Sequence, residues 1–224
     1  QMPAQGHTID WLMQRDADVL NEVSPIKWLG NTVYLTPGSG NKSLLGRILN
    51  NLQGMWGDLM ILPLALKTHY DVIQVRDKFF ASLIGWIAAK LTGSHFVYWM
   101  SYPFAESKLY QADNRLVPHH QLVWLKGKII QKLLYDIILP LADHIFVQSE
   151  RMKEDVAKYG IPNSKMTPVP MGIRSDQVGD GEKARAPHTD APVLLYLGII
   201  LQLRKSQILV QVLQQVRYGI RKRL

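Results

Sequence analysis

Two periods alternate along this chain, and the places where one gives way to the other mark out its elements. Thr8 to Met13 (TIDWLM) and Thr32 to Leu35 alternate as strands do, and Asp71 to Val75 (DVIQV), His95 to Trp99 (HFVYW) and Asp143 to Val147 read as further strands. Between them the apolar positions recur at helical spacing. Leu44, Leu45, Ile48, Leu49 and Leu52 mark one helix face, Met60 to Leu66 another, and Phe79 to Leu91 a third that Gly93 stops. Pro37 to Gly40 (PGSG) is a turn. Trp124 to Leu141 is a long helical stretch, weakened at Gly127 and ended or kinked at Pro140. Ser149 suits an N-cap, and Gly160 with Pro162 closes the helix that follows. Met166 to Val169 is a strand that Pro168 and Pro170 confine to a sheet edge. Strand, helix and strand between Asp71 and Trp99 imply a right-handed crossover and a parallel sheet, hence an α/β fold.

The pattern breaks at Gly172 to Pro192, where Gly, Asp, Arg, Lys, Pro and Thr dominate and no apolar period survives. Residues 1–173 therefore read as one domain, 174–192 as a linker and 193–224 as the beginning of a second domain. The second opens with the run Val193 to Leu197, then a loop with Arg204 and Lys205, then helical spacing through Ile208, Leu209, Val212, Leu213 and Val216. A turn with two cations at a helix N-terminus is a place to hold a phosphate, because unpaired N–H groups and the helix dipole add to the cations. The commoner use of such a crossover is structural, with its cations facing water. A single strand and helix cannot bury their own faces, so more of a second lobe is expected than these residues supply.

Composition narrows the picture. With 224 residues, 47% apolar and 20% charged, the chain is globular rather than disordered. The absence of cysteine excludes disulfides, thiolate zinc sites and cysteine nucleophiles, and points to a reducing, cytoplasmic setting. A net charge of +8 points to an anionic partner: nucleotide phosphate, nucleic acid or an anionic membrane surface. The longest apolar span, Phe79 to Leu91, is too short to cross a bilayer and is interrupted by Ser82 and Lys90, and no signal peptide is visible. The helix at Leu44 to Leu52, with Lys42 and Arg47 nearby, fits a membrane-surface helix or, more commonly, one that faces the core. Asp16 and Asp18 form a D-x-D pair able to hold a divalent cation, although a solvated loop is the far commoner meaning of three such residues. His69, His95, His119, His120 and His144 show no metal-ligand spacing. Ligands of open parallel sheets bind beyond the carboxyl ends of strands. Ser101, Tyr102 and Glu106 follow the strand at His95 to Trp99 and are placed to touch a substrate, the alternative being a loop that only packs.

A strand, then VQSERMKEDVAKYGIPNSKMTPVPMGI, then a linker, then VLLYLGIILQLRKSQILV resembles the domain junction of family-4 glycosyltransferases. There a strand ends in serine, a helix with a basic residue follows, and Gly-[IV]-Pro, Lys-[MIV]-x-x-[VI]-Pro and Asn- or Met-Gly-[VI] come in turn. The matching positions are Ser149, Lys153, Gly160-Ile161-Pro162, Lys165 to Pro170 and Met171-Gly172-Ile173. Gly6-His7 followed by TIDWLM is similar to the entry into the second strand of the first lobe, so that lobe's first strand and glycine-rich loop are expected before Gln1.

The resemblance implies the two-lobed GT-B fold and transfer of a sugar, with retention, from a nucleotide-sugar donor (UDP- or GDP-linked) to a glycan or lipid-linked acceptor. It implies no metal and no cofactor. The first lobe would hold the acceptor, with Ser101, Tyr102, Glu106, Met171 and Gly172 along the cleft. Gly198, Arg204 and Lys205 would hold the donor diphosphate. Gly198 and Lys205 match the family's Gly and Lys, while Ile199 stands where the family has Arg, and Arg204 is the substitute. No catalytic histidine carries over, since Met100 and Ser101 occupy its place, and the family's paired glutamates would lie beyond Leu224. Lys126, Lys128 and Lys132 would touch an anionic membrane on its inner face. Two alternatives stay open: a non-catalytic basic α/β module that binds nucleic acid, and a metal-dependent transferase that uses Asp16 and Asp18.

Overall fold

A computed structural model of the chain describes residues 6–15, 24–38, 43–170, 172, 208, 210–212 and 214. Gln1–Met171 forms one compact unit and Gly172–Leu224 another. In the second, residues 208, 210–212 and 214 are helical, in the stretch where the spacing predicts a helix.

The first unit is α/β, with two sheets. Strands β1 (Asp10–Gln14), β2 (Ile26–Trp28) and β3 (Asn31–Thr36) form a sheet in the order β1-β3-β2, with β1 parallel and β2 antiparallel to β3. Strands β4 (Val72–Arg76), β5 (His95–Met100), β6 (His144–Val147) and β7 (Met166–Pro168) form an all-parallel sheet in that order. β7 is the edge strand that its prolines require. β5 buries Phe96, Val97, Tyr98 and Met100, residues that point to both faces, as a central parallel strand must.

Helix α1 spans Leu44–Asp58, α2 Ile61–Thr68 and α3 Phe79–Thr92. Gly93 ends α3 in the left-handed region at φ 76°, its N–H returned to Ala89 O, which is the conformation only glycine adopts without a Cβ clash. α3 lies directly on β4 and β5: a Cβ at Gly85 would stand 3.0 Å from Val75 Cγ2 and 3.4 Å from Phe96 Cε2. Helix α4 (Phe104–Asp113) occupies what the sequence reading treats as a loop after β5; its mixed composition carries little helical period, and it forms by packing on the next helix. Helix α5 (His120–Leu133) runs through a π-helical segment, Leu134–Ile138, into α6 (Leu139–Leu141). Pro140 lacks an N–H and crowds the preceding turn; Leu139 N–H returns to Leu134 O, one residue further back than an α-helix would reach. Helix α7 (Glu150–Ala157) is capped by Ser149, whose hydroxyl accepts from Met152 N–H at 3.1 Å.

One expectation reverses. The commoner reading of α1 turns its leucines to the core, but Leu45, Ile48, Leu49 and Leu52 are exposed, Leu45 at 73%. The buried side of α1 is instead Gly46, Gly54, Gly57 and Asp58. These small residues bring the helix onto Gln14 of β1 and Thr36 of β3, closer than any leucine face would allow.

Candidate functional site

The carboxyl ends of β4 and β5 lie side by side because the strands pair with Arg76 opposite Trp99. Arg76 is the last residue of β4, and Asp77 and Lys78 follow it before α3 begins. Ser101 is the first residue after β5. The Arg76 guanidinium sits over the Trp99 ring, 5.0 Å from its centroid, and its Nε–H donates to Ser101 Oγ at 3.2 Å. Asp77 has φ 54°, a left-handed conformation that aspartate tolerates better than most residues. Its N–H donates to Trp99 O at 3.2 Å, which ties it to β5. Its carboxylate accepts the Ser101 N–H at 3.0 Å and the Ser101 hydroxyl, and stands 3.8 Å from the Arg76 guanidinium. Lys78 pairs with Asp58, the buried last residue of α1, at 2.7 Å.

Two cations and two carboxylates thus balance at one end of the sheet, each cation already facing a carboxylate. Such a cluster offers directional donors and acceptors without a net field, which suits a neutral polyhydroxy ligand better than a diphosphate. The Trp99 Nε1–H is buried and has no acceptor among the described residues. Tyr102 and Phe104 stand beside the cluster in sequence as an exposed edge-to-face pair, ring centroids 4.9 Å apart.

Of the residues that the sequence singles out, Ser101 joins the Arg76–Asp77 cluster. The Tyr102 hydroxyl donates to Ser107 Oγ at 2.9 Å. Glu106 lies in the first turn of α4, where its charge suits the helix dipole. Its Oε1 accepts from the Tyr135 hydroxyl at 2.7 Å and from the Tyr159 hydroxyl at 3.3 Å, and these two rings stack with centroids 3.8 Å apart. Burial, and then the bond to Glu106, holds the Tyr135 phenol well above its ordinary range; burial, then the Glu106 charge, raises Tyr159. Both phenols therefore remain neutral donors at any physiological pH. Gly172 is exposed, with open space where a Cβ would stand. Met171, Gly198, Arg204, Lys205, Asp16 and Asp18 lie outside the described residues. Among the described residues no group of three or more His, Asp or Glu is arranged to hold a metal ion, and no helix is long and apolar enough to cross a membrane.

Sequence reasoning passes over Arg76, Asp77 and Lys78, although a signal is present. The rule that ligands gather beyond strand carboxyl ends applies to β4 as it does to β5, and three charged residues in a row after DVIQV are its mark. Asp58 carries no such signal, because only the fold brings the end of α1 to the start of α3.

No curated protein matches the chain. The model of Glycosyltransferase Family 4 matches residues 1–177, which is 177 of 224 residues. That span takes in both sheets, every strand end of the site and the junction motif from Ser149 to Ile173. An α/β first lobe with a polar site at the carboxyl ends of its parallel strands, matched over that length, belongs to glycosyltransferase family 4.

Proposed function

We propose that the chain forms the acceptor-side lobe, and the opening of the donor-side lobe, of an enzyme that moves a sugar from a UDP- or GDP-sugar onto a glycan or lipid-linked acceptor with retention. Family membership over residues 1–177 carries the reading, and the charge-balanced cluster at the ends of β4 and β5 supports it. In this reading, Arg76, Ser101 and Tyr102 present hydrogen-bonding groups to acceptor hydroxyls. Glu106 holds α4 in place beneath them through Tyr135 and Tyr159. Residues 1–173 belong to the first lobe, 174–192 to the linker and 193–224 to the second lobe.

The donor diphosphate falls to Gly198, Arg204 and Lys205. Charge grows on the leaving diphosphate as the glycosidic bond breaks. Two cations at a helix N-terminus stabilise that charge more than they stabilise the bound donor, and this lowers the barrier without requiring a metal. The enzyme acts in the cytoplasm, against the inner face of an anionic membrane. Helix α5 supports that placement, since exposed Leu122, Leu125 and Ile129 lie among exposed Lys126, Lys128 and Lys132.

Calorimetry with UDP and GDP tests the donor site. One nucleotide is expected to bind, and Lys205→Ala to weaken it by about 1.5–3 kcal/mol, the scale of a charge-assisted hydrogen bond. Equal binding by wild type and variant removes Lys205 from the site.

A further inference from the structure

Helix α1 carries an uncovered apolar face that repeats every seven residues. Leu45, Leu52 and the C-cap residue Leu59 hold one position of the repeat, Ile48 and Met55 a second, Leu49 and Trp56 a third. All of them are exposed, Trp56 at 71%. At about 100° per residue they fall in one stripe, and three positions in seven is the width by which helices pack on one another in bundles. The opposite side of α1, with Gly46, Gly54, Gly57 and Asp58, is buried. Among the described residues Arg47 is the only exposed charge on the helix. A helix that is apolar all round is buried all round. α1 thus has the composition of a helix covered on both sides, and the described residues cover one.

The pattern says what fits the other. A lipid-facing helix carries cations along the borders of its apolar face. Arg47 does not border this one, since five residues of helix turn it about 140° from Leu52. A partner that relies on charge finds nothing to pair with on the stripe. The spacing is also its own reverse about Leu52: Leu45 and Leu59 are equally far from it, as are Ile48 and Trp56, and Leu49 and Met55. An isologous two-fold contact needs that property, because each residue must meet in its partner what its partner meets in it. Antiparallel pairing also sets each helix N-terminus beside the other's C-terminus, where the dipoles attract. The area is sufficient: at about 200 Å² per side chain the exposed parts of the stripe amount to roughly 800 Å², on the order of what one partner gives a standard interface.

We propose that a second copy of this chain covers the face, through an antiparallel contact of α1 with α1 about a two-fold axis at Leu52. Leu52 then meets its own copy, Leu45 meets Leu59 of the partner subunit, and Ile48 meets Trp56 of the partner subunit. The two glycine-lined sides face outward, each on its own sheet. The inference stands on α1 and is independent of which donor or acceptor the enzyme uses.

Sedimentation of the 224-residue chain tests it. A dimer is expected at about 100 μM, since interfaces of this size bind at micromolar or tighter. Leu52→Glu sets two carboxylates against each other at the axis and is expected to weaken the dimer by about a hundredfold or more. Leu52 is exposed in the single chain, so the urea midpoint of that variant, read at a dilution where the wild type is monomeric, is expected to be unchanged. The chain has no cysteine of its own, which allows a second reading: diamide is expected to link Leu52→Cys chains into covalent dimers and to leave Leu122→Cys, comparably exposed on α5, as single chains. A wild type that stays monomeric at that concentration overturns the proposal. So does equal linking of the two cysteine variants, or a dimer that Leu52→Glu leaves intact. A monomer that floats with phosphatidylglycerol vesicles and is released by Leu52→Glu also overturns it, and makes the stripe a lipid face.

Discussion

Asp77 shows how one residue sets a site. Its backbone is left-handed, its N–H ties it to β5 and its carboxylate holds Ser101, which in turn orients Arg76 over Trp99. Asp77→Ala removes both the acceptor and the side chain that tolerates φ 54°, and leaves the Ser101 N–H unpaired. A loss of about 1–3 kcal/mol of stability is expected, together with a raised KM for acceptor and unchanged nucleotide binding. Asp77→Asn keeps one acceptor oxygen and the tolerance of positive φ, so it is expected to recover most of the stability in urea unfolding. If Asn and Ala are equally damaging, charge rather than geometry is what the position supplies. Little of this was legible in the sequence. The charged run after β4 marks a strand end, but nothing in it says that the middle residue bonds across to Ser101, because that contact exists only once β4 and β5 are in register.

At the scale of elements, the strands were the most legible part. Period and turn residues placed β1 and β3 to β7 within a residue or two of their observed bounds. β2 pairs antiparallel through three residues, too few to show a period, and α4 lacks an apolar stripe. α1 is the instructive case, because its period was right and its facing was inverted. A leucine stripe reads as a core face only when the other side is polar and bulky, and here the other side is Gly46, Gly54 and Gly57. A Cβ at Gly57 would stand 2.6 Å from Thr36 Cβ and 2.5 Å from its Oγ1, atoms of a β-branched residue with no room to swing away. Gly57→Ala gains about 1 kcal/mol of helix propensity and loses about 1–3 kcal/mol to overpacking, so net destabilisation is expected. In the exposed middle of α1 the sign reverses: Asn51→Ala, a change from a poor helix former to the best, is expected to stabilise slightly. The two midpoints of denaturant unfolding, read side by side, check the assigned facing of the helix, and a stabilised Gly57→Ala contradicts it.

For the whole molecule, the net charge of +8 named a class of partner without naming a surface, and the resemblance at the domain junction named a family without showing a site. Under the proposed membrane contact, the surface to test is on α5. On α5, Lys128 lies 5.6 Å from the Trp124 ring centroid, and exposed Leu122, Leu125 and Ile129 share the helix with Lys126 and Lys132. An aromatic residue at headgroup depth, apolar side chains just below it and cations toward the phosphates is the chemistry of an interfacial helix. Each lysine near an anionic surface contributes about 1 kcal/mol. Changing Lys126, Lys128 and Lys132 together to Gln is therefore expected to weaken binding to phosphatidylserine-containing vesicles by roughly a hundredfold, and added salt to weaken the wild type in the same direction. Net charge alone predicts the same loss from any three cations. The deciding comparison is Lys27, Lys67 and Lys90 changed to Gln, exposed residues on other elements. If that protein leaves the vesicles as readily as the α5 variant, attraction is spread over the molecule and α5 is an ordinary solvated helix; if it stays bound, the membrane face is α5.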